Sequence, residues 1–320
     1  MVDDGFGASP VGHTPGGRSL DVLFMPPTPD QERRALRRGE RMPTAGQMLC
    51  CRGSGEPPAE VGPLRDPLAF RLRTGDSFFD SEVCIRTGEP LPWLMALDGS
   101  GREAVLRAVK AGWCCIGDDW VLPWADGQDQ VPEGALPAVD AALDALALAR
   151  TSGRKRFEET TDARGRALRR AQLVLHGAQK GWLAAEQARA ALHQEREPLV
   201  RLALYSLFLP ATVSEVSAGL RMSDGEVVGL AAVSLAHTKP RGALRAQVEK
   251  GLLDLLDTPL EGLFVALEQV GRSSTRAALE QRVGSDGRWR GARRDAGVEL
   301  LETLRERAAS RARPKGGASS

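Results

Sequence analysis

The stretch that most constrains the fold is residues 202–236, where short apolar segments alternate with helix-capping signals. A first helix, predicted at about 198–209, ends before Pro210, because proline cannot continue a helix. Residues 212–215 (TVSE) and 223–226 (SDGE) have capping-box spacing, in which a hydroxyl caps the first turn and a glutamate reaches back to it. Each box predicts a helix start, so the stretch predicts two short helices joined by a tight turn.

This pattern resembles the helix-turn-helix core of the winged-helix superfamily, over about residues 198–238 only. In DNA-binding members the third helix lies in the major groove. Two features depart from the family pattern: Arg221 stands where the turn usually has glycine, and the third helix begins with Asp224 and Glu226. Its outward positions hold no Arg, Lys, Asn or Gln to contact a base edge. The resemblance therefore favours protein contact, through Val228 and Ala232, over recognition of DNA by this helix.

Glycine and proline content, together with apolar periodicity, predicts five segments along the 320 residues. They are a disordered arm over 1–60, a small α+β domain over 61–150, a helical connector over 151–197, a helical domain with the helix-turn-helix-like unit over 198–285, and a basic helix with a disordered tail over 286–320. Within the arm, the apolar run SLDVLFM predicts either a docking peptide or a strand added to the sheet. The predicted fold class is mainly α, with a small α+β N-terminal domain and a winged-helix-like unit in the C-terminal half.

Charge is distributed unevenly along the chain. Residues 61–150 carry 8 basic and 14 acidic side chains, and residues 282–320 carry 10 basic and 5 acidic ones. In the C-terminal stretch arginines surround a tryptophan, a composition suited to phosphate contact with base stacking. The predicted nucleic-acid contacts are Arg288, Trp289, Arg290, Arg293 and Arg294, with Lys239, Arg241 and Arg245 beyond the third helix. The alternative is a solvated loop followed by a surface helix with Glu/Arg pairs.

No sequence pattern indicates a catalytic residue, a cofactor or a metal site. Phosphate-binding, dinucleotide-binding and zinc-protease motifs are missing from the sequence. The adjacent pairs Cys50–Cys51 and Cys114–Cys115 lack zinc-knuckle spacing, which favours reduced thiols over a zinc site assembled from both pairs. No apolar run reaches the roughly 18 residues of a transmembrane helix. We therefore expect a cytoplasmic protein with no membrane partner.

Together these features predict a non-enzymatic adaptor or regulatory protein of a bacterium or phage. Its winged-helix-like unit would serve protein contact or self-association, and its basic C-terminal stretch would add nonspecific contact with nucleic acid. Two alternatives stay open. One is a sequence-specific DNA-binding regulator of transcription or replication, and the other is an enzyme of unfamiliar type in residues 61–150.

Overall fold

The computed structural model describes residues 9–25, 46–53, 58–65, 71–124, 131–161, 166–260, 262–284, 287 and 289–312. The chain divides into two compact units, residues 1–65 with 72–165 and residues 66–71 with 166–320. The fold is mixed: an antiparallel sheet lies in the N-terminal part, and the C-terminal part is largely helical. The predicted order of an α+β region followed by a helical region is confirmed at this level.

The first unit is built on a seven-stranded antiparallel sheet with the order β1-β2-β3-β7-β6-β4-β5. Its strands are β1 (Ser9–His13), β2 (Ser19–Met25), β3 (Gly46–Cys51), β4 (Ala59–Pro63), β5 (Val83–Thr87), β6 (Cys114–Gly117) and β7 (Asp119–Trp124). Strands β6 and β7 form a hairpin whose turn contains Gly117. On one face of the sheet, Leu49, Cys51 and Trp120 are almost fully buried and form part of the core.

Four helices accompany the sheet: α1 (Ser77–Glu82), α2 (Pro90–Ala96), α3 (Gly99–Lys110) and α4 (Ala135–Thr161). Helix α4 packs against α2 and α3. Helix α3 is capped by Asp98, whose Oδ1 accepts the Gly101 N–H at 2.9 Å. The Trp113 indole N–H donates to the Ala135 carbonyl at 2.9 Å, so it ties the loop before β6 to the start of α4.

The N-terminal region differs from the predicted disordered arm, because β1, β2 and β3 come from residues 1–60. Strand β2 contains the SLDVLFM run and pairs with β3, and β3 in turn pairs with β7. The strand alternative for that run is the one the structure shows. The backbone groups of these strands are satisfied by partners distant in sequence, which local composition does not reveal. Residues 1–8, 26–45 and 54–57 of the predicted arm lie outside the described residues.

A buried carboxylate on α4 holds the β1–β2 hairpin in place. The Thr14 hydroxyl donates to Asp140 Oδ1 at 2.6 Å, the Gly16 N–H donates to Oδ2 at 2.7 Å, and Arg18 pairs with Oδ1 at 2.8 Å. Burial acts to raise the pKa of Asp140, but these hydrogen bonds outweigh it and hold the pKa below its usual value. The hairpin is therefore fixed by polar contacts as well as by strand pairing.

We expect Asp140→Ala to lower the free energy of unfolding by about 2 kcal/mol, because three hydrogen-bond donors lose a charged acceptor. Amides of the β1–β2 hairpin should exchange faster with deuterium than in the wild type. Asp144→Ala is the matched control, since Asp144 is exposed and pairs only with Arg18 among the described residues, so its loss should cost little. The Asp140 contribution is present above pH about 4 and is lost as pH falls through the lowered pKa. Equal exchange in both variants would contradict this anchoring role.

The second unit is helical throughout its described part. Its helices are α5 (Ala167–Gln179), α6 (Ala185–Gln194), α7 (Pro198–Ser206), α8 (Val213–Gly219), α9 (Gly225–Ala236), α10 (Gly242–Asp254), α11 (Leu263–Val270), α12 (Ser273–Val283) and α13 (Gly291–Ala312). Helices α8 and α9 are the predicted pair joined by a tight turn. The described residues between 166 and 312 contain no strand, so no β-wing accompanies them there.

The predicted helical connector over 151–197 is divided between the two units. Helix α4 continues to Thr161 as part of the first unit, with a non-helical residue at Gly153. Helix α5 belongs to the second unit, where it packs against α7. Ala171 and Val174 of α5 join the apolar core of that unit. The apolar stripe on α5 therefore serves packing within a domain, which is why this stretch is not a free connector.

Candidate functional site

The helix predicted to contact DNA or protein, α9, is enclosed by its neighbours. It packs against α7, α8, α10 and α11. Every residue from Val227 to Ala236 is buried or partly buried. The crossing with α8 is close, since a Cβ added at Gly219 would lie 3.0 Å from the Ala231 Cβ. A helix that is apolar on all sides belongs in a core, and this signal was present in the sequence VVGLAAVSLA.

The two predicted protein-contact residues on α9 lie inside the second unit. Ala232 is fully buried. Val228 is partly buried against α10, with its Cγ1 3.5 Å from the Cβ position of Gly251. Neither residue offers an open surface, because the space outside α9 that the resemblance implied is filled by α10 and α11. Contact with a partner through these two residues is therefore not supported by the geometry.

Trp289 and Arg293, predicted to contact nucleic acid, lie in the core. Trp289 has no exposed surface, its ring meets Phe264 edge-on at 5.5 Å, and its indole N–H donates to Asp257 Oδ1 at 2.9 Å. Arg293 is 2% exposed, lies over the Trp289 ring and donates to the carbonyls of Leu256 and Thr258. The tryptophan is not available to stack on a base in this structure.

The remaining arginines of the C-terminal stretch bind backbone carbonyls. Arg290 donates to the carbonyls of Gly287 and Trp289, and Arg294 Nε donates to the Val283 carbonyl at 3.2 Å, at the end of α12. Both residues are otherwise exposed. Arg288 lies outside the described residues. The structure thus leaves Arg290 and Arg294 as surface cations, with part of their hydrogen-bonding capacity used to cap local structure.

Of the three cations that follow α9, two are exposed and the third binds backbone carbonyls. Lys239 and Arg241 are exposed, whereas Arg245 donates to the carbonyls of Val270 and Gly271 at the end of α11. Arg245 lies in the first turn of α10, and Arg293 binds just beyond the last turn of that helix, roughly 15 Å away along its axis. Arg245 and Arg293 therefore lie near opposite ends of α10.

An open apolar groove lies beside the C-terminal half of α9. Its volume is about 540 Å³. We call it the α9 groove. Its lining comes from α5, from the end of α7 and the segment after it, and from α9 with the turn that follows. The lining residues are Leu175, Gln179, Ser206, Leu207, Leu209, Pro210, Leu230, Val233, Ser234, His237 and Thr238. A volume of several hundred Å³ is typical of binding sites in proteins.

Two hydroxyls in the α9 groove are already satisfied, which makes its surface more apolar than its residue types indicate. The Ser206 hydroxyl donates to the Leu202 carbonyl at 2.8 Å, and the Thr238 hydroxyl donates to the Leu235 carbonyl at 2.7 Å. The lining residues include no carboxylate and no lysine or arginine. Apart from Gln179, Ser234 and His237, the groove therefore presents mainly leucine, valine and proline surface.

Two exposed lysines each follow a lining residue of the α9 groove in the chain. Lys180 follows the lining residue Gln179, and Lys239 follows the lining residue Thr238. Within the described part of the chain, neither lysine takes part in an ion pair. The sequence did not reveal this site, because its lining is assembled from residues up to 63 positions apart, Leu175 and Thr238.

Each cysteine pair contributes one residue to each face of the sheet: Cys51 and Cys115 both pair with Trp120, and Cys50 and Cys114 both pair with Val121. Cys50 and Cys51 are successive strand residues, as are Cys114 and Cys115, so each pair is divided between the two faces. Burial, and then the Asp119 charge, raises the pKa of Cys50 to about 12. In the described part of the chain, no group of three or more His, Cys, Asp or Glu side chains is arranged to hold a metal ion.

Comparison with known proteins adds no assignment. No family model, curated protein or solved structure matches the chain. Over the described residues, none of the helices combines the length and the apolar character needed to cross a bilayer. Among the described residues, the α9 groove is one of the concave surfaces on the second unit.

Proposed function

We propose that this protein is a non-enzymatic adaptor or regulatory protein that contacts a protein partner through the α9 groove. The observation that carries the proposal is the groove itself, an apolar surface left open beside an otherwise enclosed helix. Surfaces of this kind are used to bind an apolar face of another protein. The contact surface is thus displaced from the outward side of α9, where the helix-turn-helix resemblance placed it, to the side next to α5.

Enclosure of α9 also bears on the DNA-binding alternative. A recognition helix must present one side to the major groove, which is about 12 Å wide. Because α9 packs against four helices, entering a DNA groove would require displacement of at least one of them. Support for sequence-specific DNA binding by α9 is therefore weaker than the resemblance implied. Nonspecific nucleic-acid contact through Arg290, Arg294, Lys239 and Arg241 is the second candidate, because all four are exposed.

The test uses the tagged full-length chain and a plug in the α9 groove. Ser234→Trp places a neutral ring in the groove, and Val265→Trp places the same residue at a position on α11 that is 53% exposed and does not line the groove. We expect a host protein to be retained by the wild type and by Val265→Trp, with and without nuclease, and to be lost with Ser234→Trp. Thermal melts of both variants establish that the fold is kept.

Two outcomes would contradict the proposal. Equal retention by all three proteins would show that the α9 groove is not the contact surface. Retention that disappears with nuclease, and with Arg290→Ala combined with Arg294→Ala, would favour the nucleic-acid candidate. The double variant avoids the buried Arg293, whose removal would disturb the core and confuse the result.

A further inference from the structure

We propose that the α9 groove binds an amphipathic helical segment of a partner protein whose apolar face is flanked by acidic side chains. This inference rests on the proposed function, since it names the chemistry of the partner at the same groove. It is carried by two features: the apolar floor of the groove, and two exposed lysines that adjoin lining residues in the chain and form no ion pair within its described part.

The apolar floor favours a helix over an extended peptide. Extended peptides add to open sheet edges through their backbone groups, and the described part of the second unit contains no strand to receive one. The groove is bounded by helices α5 and α9 and by residues Leu207, Leu209 and Pro210. Amphipathic helices bind to such surfaces through apolar residues spaced at i, i+3, i+4 and i+7.

The two lysines that adjoin lining residues specify the flanks of the bound helix. Lys180 and Lys239 are both exposed, and they lie next to lining residues from two different helix ends. Because the lining residues themselves carry no carboxylate, these ammonium groups are not neutralised from within the groove. Complementary charge across an interface raises the association rate and selects the partner. Glutamate or aspartate beside the apolar face of the partner would supply that charge.

The same lysines follow the C-terminal ends of α5 and α9, where a cation is favoured by the helix dipole. Their positions therefore have a role in the fold as well. For this reason the experiment changes the charge of the bound peptide as well as the charge of the protein. A role confined to the helix ends would not respond to the charge of the peptide.

The probes are two designed helical peptides of about 16 residues, a length near the minimum for an isolated helix. Both carry leucine at i, i+3, i+4 and i+7, and their flanks are glutamate in one and lysine in the other. Binding to the full-length protein is measured by fluorescence anisotropy of labelled peptides. The variants are Lys180→Glu combined with Lys239→Glu, and the control Lys250→Glu on α10, an exposed lysine that does not line the groove.

We expect the glutamate peptide to bind the wild type and Lys250→Glu about tenfold more tightly than the lysine peptide at low salt. The preference should shrink as salt is raised, because the lysines are exposed. In the Lys180→Glu, Lys239→Glu protein the preference should reverse. Ser234→Trp should weaken both peptides.

Equal binding of the two peptides to the wild type would overturn the acidic-partner inference. A preference for the glutamate peptide that is unchanged in the Lys180→Glu, Lys239→Glu variant would overturn it too. Absence of binding by either peptide would overturn it as well. If a host protein is nevertheless lost from Ser234→Trp in the capture experiment, the proposed function stands and only the chemistry assigned to the partner fails. Competition of the glutamate peptide by single-stranded DNA at the same site would favour nucleic acid as the occupant and would overturn the inference.

Discussion

Replacing Trp289 with alanine is expected to lower the free energy of unfolding by about 3–5 kcal/mol, the largest effect that we predict for a single substitution. The side chain is fully buried, and its ring packs against Phe264 and Arg293. Its Cζ3 lies 2.7 Å from the position that a Cβ on Gly297 would take, so α13 approaches the ring closely. Alanine would leave a large cavity between α11 and α13.

Trp289→Phe is the matched variant for the hydrogen bond to Asp257. It keeps an aromatic ring beside Phe264 but removes the indole N–H together with the five-membered ring, so we expect a loss of about 1–2 kcal/mol from the hydrogen bond in addition to the cost of the smaller ring. The hydrogen bond from Arg282 is the main cause of the lowered pKa of Asp257; burial opposes it and the Trp289 bond adds to it. Losing the indole donor should therefore shift the pKa of Asp257 upward, towards its usual value.

Chemical denaturation of the wild type and both Trp289 variants measures these effects, and a carboxyl titration by NMR follows Asp257. The result also separates two roles for Trp289. If Trp289→Ala left stability unchanged but abolished binding to single-stranded DNA, the residue would be an exposed stacking platform and its placement in the core would be wrong. The structure predicts the opposite, with stability lost first.

Replacing Glu249 with alanine is expected to cost about 3 kcal/mol, because it removes a buried acceptor that organises the start of α12. Glu249 lies on α10 and is 5% exposed. Its Oε1 accepts the Arg272 N–H at 2.9 Å and the hydroxyls of Ser274 and Thr275, each at 2.6 Å. Without the carboxylate, the hydroxyl of the fully buried Thr275 would lose its acceptor in a low-dielectric interior.

The charge of Glu249 makes part of this contribution depend on pH. Burial acts to raise its pKa, but the hydrogen bonds from Ser274, Thr275 and Arg272 outweigh burial, so the pKa lies below the usual value. A group with a lowered pKa in the folded state stabilises the protein above the pKa of the unfolded chain, about 4.3 for glutamate. That stabilisation is lost as pH falls through the lower folded value.

Denaturation curves at pH about 7 and about 3 check this prediction. The difference in stability between wild type and Glu249→Ala should be smaller at the lower pH. Glu249→Gln keeps an acceptor oxygen and should fall between the two, whereas Lys250→Ala, at the exposed neighbouring position, should change stability little. A loss for Glu249→Ala no larger than that for Lys250→Ala would show that the carboxylate does not organise α12.

Taken together, Trp289 and Glu249 show how the C-terminal helices are held to the rest of the second unit. Trp289 packs between α11 and α13, and Glu249 joins α10 to the start of α12. Arg293 adds hydrogen bonds to the turn after α10. The neighbouring sequence of these three residues is rich in charge and would favour a solvent-exposed position, yet all three side chains are buried. Part of the basic composition of the C-terminal stretch therefore serves packing in the core, since Arg293 is buried against Trp289.

The sequence by itself determined the local elements of this protein. Capping-box spacing predicted where α8 and α9 start, although Asp224 rather than Ser223 caps α9 and Thr212 makes no capping hydrogen bond. Glycine and aspartate at 117–119 favour the turn of the β6–β7 hairpin, and glycine at 181 favours the break between α5 and α6. Such signals depend on residues within about four positions of one another, because helix capping and turn formation are local. For that reason these elements could be predicted without any knowledge of their neighbours.

Only the tertiary structure decided what those elements do. Strand β3 is a strand because β2 and β7 supply its hydrogen-bond partners, α9 is a core helix because four others surround it, and Trp289 is buried because Phe264 and Arg293 meet it. The α9 groove likewise exists only where α5 and the segment after α7 approach α9. Burial and concavity are properties of residues brought together from distant positions, so composition and periodicity along the chain could not reveal them.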